Sequence, residues 1–301
     1  MNNLPKILVL GATGKVGSET LRQLQLAGDS QPIAAVRSAE KAQALQARGI
    51  DTVILDLEQP HTLKPALQGS DRALLLTGYS VDMLRQSKRF LDAAKVAGVN
   101  HIVHIGASTA PTNEVAHWGW HQMVEAYIEQ QGFSFVHLRP EAFMQNITGP
   151  GYRWLDGNII RQYVGNARWS WIDCNDLALV AAHALREPEK YAGQTIPLGY
   201  DAQTFDEVAA ILSQVTGQPI HAEARPPEEF LKNALAAGAD PAYMTCVYTQ
   251  FKLNGEGAIP HADATFDNFD SITGRPPTTW QMFAEQHRDE LTQFIQATQN
   301  S

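Results

Sequence analysis

The chain has 301 residues, an ordinary apolar content of 44% and a formal charge of −9 without a block of Lys or Arg. That length exceeds the usual single domain, and the charge argues against a general nucleic-acid or anionic-membrane surface. No apolar run reaches membrane-spanning length, and two cysteines, Cys174 and Cys246, make no disulfide framework. The opening MNNLPK leads directly into apolar sequence with no room for a signal peptide, so the reducing cytoplasm is the expected compartment.

The first predicted strand, Ile7 to Leu10, stops at Gly11. Glycines recur at Gly14 and Gly17, and a helical pattern with Val16, Leu21 and Leu24 on one side runs to Gly28. Strand, glycine turn and helix form the context that a dinucleotide fingerprint requires. Gly11 allows the turn, Gly14 lets backbone approach a pyrophosphate, and Gly17 lets helix lie close to strand. The helix start then offers amides and a partial positive charge to phosphate, which places Ala12, Thr13, Lys15 and Val16 in the same cradle.

A second strand, Ile33 to Val36, ends at Arg37; Ser38 then caps a helix that Gly49 stops. Strands follow over 52–57, 73–78 and 101–108, with helical sequence around Leu63 to Leu67 and from Val81 to Gly98. The segment from Trp120 to Gly132 reads as a helix, and FSFVHLRP as a sixth strand closed by Pro140. Such alternation predicts an α/β, Rossmann-like, doubly wound parallel sheet, with ligands beyond the carboxyl ends of its strands. Those ends nominate Gly11, Arg37, Asp56 with Leu57, Thr77 with Gly78 and Tyr79, Gly106 with Ala107 and Ser108, and Arg139 with Pro140.

An acidic residue about 20 positions past the glycines would hold an NAD ribose. Arg37, with Lys41 nearby, stands there instead. A guanidinium binds a 2′-phosphate that a carboxylate would repel, so NADP(H) is favoured over NAD(H). Asp56 either accepts from the adenine amino group, with Leu57 on the ring, or caps the next segment.

Beyond Pro140, WSWID precedes a helix starting near Asp176, and QTIPLG is a further strand. Thr204 and Glu207 form a capping box for the helix after it. PIHAEA reads as a short strand, prolines open the two helices of PPEEFLKNALAAG and DPAYMTCVYTQFKLNG, and TTWQMFAEQHRDEL is a last helix. The expected division is a dinucleotide domain over 1–150, with 170–200 returning to it. A smaller, mainly helical substrate domain takes 151–169 and 201–301.

GATGKVG, HWGWHQMVEAYIEQQGFSFVHLRPEAFMQN, WSWIDCNDLALVAAHAL and SITGRPPTTWQMF together resemble the NmrA-like branch of the atypical extended short-chain dehydrogenases. The resemblance spans nearly the whole chain, and its middle block is the most specific part. It implies an NAD(P)H-dependent reductase of a small aromatic acceptor such as a quinone or a dye. The same family holds NADP(H)-sensing regulatory proteins without robust catalysis, and an intact glycine turn fits both. By resemblance, Gly11, Thr13, Gly14, Val16, Arg37, Asp56, Leu57, Thr77, Gly78 and Pro140 line the cofactor. Phe143, Met144 and Asn146 match the segment near nicotinamide and substrate.

The departure from the wider dehydrogenase pattern is the Tyr-x-x-x-Lys pair, in which Lys lowers the Tyr pKa for proton exchange. The single instance, Tyr248 to Lys252, lies in the C-terminal region. The helix that should carry the pair has His121 and Glu125 at i,i+4. His121 either protonates a reduced acceptor, since imidazole titrates near neutrality, or fixes the helix by bonding Glu125 or a carbonyl. His101, His104 and His117 show no metal spacing, so no metal is expected, and Cys174 reads as a small packed residue. Tyr79, Trp118, Trp120, Phe143, Tyr152, Trp154 and Trp169 fall in loops expected near the carboxyl edge. They can stack on a flat acceptor, or Trp118, Trp154 and Trp169 merely seal the two domains together. A homodimer is left open.

Overall fold

Strands buried on both faces read as unbroken apolar runs. Ile7, Leu8 and Val9 fill β1 (Lys6–Val9) and have no exposed surface. The same holds for Ala73 to Leu75, and nearly so for His101 to Ile105. The structure, a computed structural model, describes residues 4–149 and 154–299.

In chain order the first elements are β1, α1 (Lys15–Ala27), β2 (Gln31–Val36), α2 (Ala39–Gln46), β3 (Asp51–Ile54), α3 (Leu63–Leu67), β4 (Arg72–Leu75), α4 (Met83–Ala97), β5 (His101–Ile105), α5 (Ala116–Gln130) and β6 (Ser134–Pro140). Then come β7 (Ala142–Phe143), β8 (Leu155–Asp156), β9 (Ile159–Gln162), β10 (Trp169–Ile172), α6 (Cys174–Arg186), α7 (Pro188–Tyr191), β11 (Gln194–Leu198), β12 (Asp201–Gln203), α8 (Phe205–Thr216) and β13 (His221–Ala224). The remaining helices are α9 (Pro227–Ala236), α10 (Pro241–Gly255), α11 (Phe269–Thr273), α12 (Trp280–Gln286) and α13 (Arg288–Gln299).

Among the described residues seven strands form the main sheet in the order β11-β6-β5-β4-β1-β2-β3. The ladders joining β3, β2, β1, β4, β5 and β6 are all parallel. From β1 the chain runs to β2 and β3 on one side, then returns to β4 on the other. This reversal is the switch point at which doubly wound sheets take ligands. Helix α1 buries Val16, Gly17, Thr20, Leu21 and Leu24. Leu8, Leu75, Phe90, Leu91 and Ile102 lie in one continuous core.

Three strands are shorter than expected. The ladders of β3, β4 and β5 stop at Ile54, Leu75 and Ile105, so Asp56–Leu57, Thr77–Tyr79 and Ala107–Ser108 belong to the loops that follow. At β3 the cause is local: the Asp56 amide donates to Thr62 Oγ1 at 3.0 Å and leaves the ladder.

The chain divides into two compact units. The first holds residues up to Ala107, Trp118–Arg139 and Asn175–Pro197; the second holds Ser108–His117, Pro140–Cys174 and the chain from Leu198 onward. The expected division omitted the excursion at 108–117 and set the return to the first unit at 170 rather than 175. Within the second unit, β12-β10-β7 and β13-β9-β8 form two three-stranded sheets beside its helices. Strands as short as β7, β8 and β12 carry too little pattern to be read in advance. Helix α8 has the capping box, Thr204 accepting from the Glu207 amide while Glu207 accepts from Thr204. The last predicted helix breaks at His287 into α12 and α13.

Candidate active site

The glycine turn is built by two close approaches. Gly11 takes φ +65°, a left-handed conformation that side-chain-bearing residues avoid, and its carbonyl accepts from the Gly14 amide at 2.8 Å. A Cβ on Gly17 would lie 2.2 Å from that same carbonyl oxygen, so only glycine lets α1 start this close to β1. Gly14 is the N-cap of α1 and supplies no side-chain cap. The first-turn amides, lacking intrahelical partners, therefore lie behind exposed Thr13, Gly14 and Lys15, where an anion would be held. Ala12, Val16 and Gly17 are buried, so any part they take is through backbone. This cradle fits the pyrophosphate of a dinucleotide.

Along the same carboxyl edge, Arg37 follows the last residue of β2, exposed and with no ion-pair partner among the described residues. Lys41 is exposed on the first turns of α2, whose cap is Ser38. Two exposed cations beside a strand end suit an added phosphate. Asp56 does local work: it accepts from the Glu58 amide at 3.0 Å and from Gln59 Nε2 at 3.1 Å, while Leu57 packs on the core. Thr77 is half-buried; Gly78 and Tyr79 are exposed, Tyr79 by 65%.

β6 ends at Pro140, and the segments after β5 and β6 carry Ala107, Ser108 and Glu141. Within the second unit the Ser108 hydroxyl lies 2.8 Å from Glu141 Oε1, and the Thr109 amide donates to the same oxygen at 3.3 Å. Burial pushes the Glu141 carboxyl up to about 7, against the pull of these donors. Glu141 was not among the residues expected from sequence. Its only signal was an acidic residue directly after the Arg139-Pro140 strand end.

Several expected contacts are corrected. Trp118 and Trp154 are interior, 4% and 2% exposed, and Met144 has no exposed surface. Trp154 packs edge-on against Trp171 and Phe205 and lies close to Trp169, in the second unit's own core. It is thus not an open stacking platform. Phe143 and Asn146 keep partial exposure, and Tyr152 lies outside the described residues.

His121 also differs from expectation. It does not bond Glu125: its Nδ1 shares a hydrogen bond with His104 Nε2 at 3.3 Å, while Glu125 accepts from both Nε and a terminal nitrogen of Arg139. Burial pushes His121 down to about 4, so its ring is neutral at pH 7 and loses the near-neutral titration that recommended it as a proton donor. The register pairs His104 with His137 on neighbouring strands, and with Glu125 they gather three ligand-type atoms within 4.8 Å. Sequence spacing concealed this grouping, because its members come from β5, α5 and β6. The Arg139 guanidinium already compensates the Glu125 carboxylate there, and a cation would have to displace it. The Tyr248–Lys252 pair lies on α10, where Tyr248 donates to Glu228 at 3.0 Å; that carboxylate raises its phenol, opposite to what the dehydrogenase pair needs.

The profile of the NmrA-like family matches residues 4–280. An NAD(P)H azoreductase from Xenophilus azovorans is 33% identical over 284 residues, spanning 93% of this chain and 97% of that protein. Quinone oxidoreductase 2 from Escherichia coli (strain K12) is 28% identical over 217 residues, spanning 71% of this chain and 76% of that protein. Among solved structures, the Citrobacter sp. triphenylmethane reductase complexed with NADP(H) matches with a TM-score of 0.79 at 27% identity, covering 94% of this chain and 99% of that one.

Proposed function

The chain belongs to the NmrA-like family, and from that premise we propose that it is an NADPH-dependent reductase of aromatic, electron-poor acceptors of the quinone and dye classes. The observation that carries this reading is the uncapped glycine turn at the sheet's switch point. The relatives named as azo, quinone and triphenylmethane reductases support the acceptor class.

In this reading the turn from Gly11 to Gly17 holds the pyrophosphate through backbone amides, and Arg37 with Lys41 holds the 2′-phosphate. Asp56 and Leu57 border the adenine end. Thr77, Gly78, Tyr79, Ala107, Ser108 and Pro140 border the remainder, and Phe143 and Asn146 are the candidates for acceptor contact. A bound reduced nicotinamide supplies a hydride, so the chain's own task is to bind and orient.

Titration calorimetry with NADPH and NADH tests the cofactor half of this reading. Tighter binding of NADPH is expected. Equal affinities, or a preference for NADH, would contradict the assignment of Arg37.

A further inference from the structure

The reductase reading leaves a proton unassigned. Reduction of a quinone or an azo bond consumes one proton with each hydride, and the imidazole of His121 is held neutral by burial. Glu141 follows the last residue of β6, Ser108 is the third residue past β5, and those strands are neighbours in the sheet. Ser108 Oγ lies 2.8 Å from Glu141 Oε1 and accepts from the Ala110 amide at 3.1 Å.

We propose that Glu141 is the proton source for acceptors whose reduction consumes a proton, and that the Ser108 hydroxyl relays it. The inference rests on the reductase reading and adds to it the group that replaces the missing tyrosine. A serine oxygen has two lone pairs and one proton. With Glu141 protonated, Ser108 accepts from the carboxyl and from Ala110, and its own O–H is free to donate. For a quinone, two electrons arrive as hydride and leave an oxyanion on the acceptor. That oxygen gains an O–H bond as the Ser108 O–H breaks, and Ser108 recovers its proton from Glu141. The carboxylate left behind is reprotonated from water.

The surroundings suit an acid that works near neutrality. The groups acting on the carboxyl are the Ser108 hydroxyl and the amide and hydroxyl of Thr109, and no ionised side chain among the described residues acts on it. Burial dominates and holds the carboxyl near 7. The backbone fixes its place: the Glu141 amide donates to the Leu198 carbonyl at 2.8 Å, and a Cβ at Gly199 would come within 3.0 Å of Glu141 Cγ.

Acceptor chemistry separates this role from a structural one. A quinone needs hydride and proton, whereas a cationic triphenylmethane dye is neutralised by hydride alone. Turnover of both by the unsubstituted chain, E141Q and S108A is the kinetic test. The ratio of quinone to dye-cation kcat is expected to fall on the order of 10²-fold in each variant. An infrared titration without acceptor reads the acid directly: a protonated carboxyl band with a midpoint near pH 7 is expected, absent from E141Q. An unchanged ratio, equal losses on both acceptors, or ionisation in the ordinary carboxylate range would overturn the proposal. If the unsubstituted chain reduces neither acceptor although the infrared band titrates as expected, the reductase reading has failed, and the proton role falls with it.

Discussion

Gly17 faces the carbonyl oxygen of Gly11 with no room for a methyl group, since a Cβ at 17 would stand 2.2 Å from that oxygen. Both partners are backbone, so neither yields as a flexible side chain would. G17A therefore pushes α1 away from β1 and opens the turn. Overpacking of this kind costs about 1–3 kcal/mol. A lowered Tm together with lost NADPH binding is expected by thermal melting and calorimetry. Parental binding in G17A would show that the turn does not hold the dinucleotide.

Arg37 offers an exposed guanidinium just past β2. Hydrogen bonds to charged groups contribute about 1.5–3 kcal/mol each, so R37A should weaken NADPH by about 10- to 100-fold. NADH, without the extra phosphate, should change far less. Parallel titrations check this, and equal losses for both nucleotides would reject the role of Arg37.

Trp154 is a core residue of the second unit, edge-on to Trp171 and Phe205. Truncating such a ring costs about 3–5 kcal/mol, so W154A should lower the urea midpoint substantially. A variant of parental stability with a raised acceptor KM would instead place the ring on a substrate.

The stability of the protein should depend on pH through groups of opposite sign. His101 and His121 are both pushed down to about 4 by burial, chiefly, so between about pH 6.5 and 4 the unfolded chain binds protons that the native chain refuses. Their effect is a stability that falls as pH falls through that window. Glu141 works the other way: the native carboxyl stays protonated up to about 7, the unfolded one only to 4.5, so its effect is a stability lost as pH rises between them. E141Q removes that second effect. Its stability relative to the parent should therefore improve between pH 5 and 8, by at most about 3 kcal/mol. Urea melts of both proteins at the two pH values measure it, and a difference independent of pH would contradict the burial of this carboxyl.

Much of the sheet was legible because burial on both faces demands unbroken apolar runs, as in Ile7–Val9 and Ala73–Leu75. The glycine turn was legible for a steric reason, since a contact that excludes a Cβ leaves glycine as its mark. The capping box at Thr204 and Glu207 was local enough to read directly. What depends on distant partners was not legible. Trp154 could have faced a ligand or a core, and only its neighbours Trp171 and Phe205 decide that. His121 and Glu125 are well spaced to pair on α5, yet His104 and Arg139, from two strands, take them instead. Glu141 looks like an ordinary surface acid until Ser108 is found against it, 33 residues away in sequence.

The most direct test is steady-state oxidation of NADPH in the presence of a quinone, an azo dye and a cationic triphenylmethane dye. Acceptor-dependent loss of NADPH is expected with at least one of them, and a lower kcat/KM when NADH replaces it. Tight binding of NADPH with no acceptor-dependent oxidation by any of the three would contradict it, and would mark the chain as a sensor of the nucleotide rather than a catalyst.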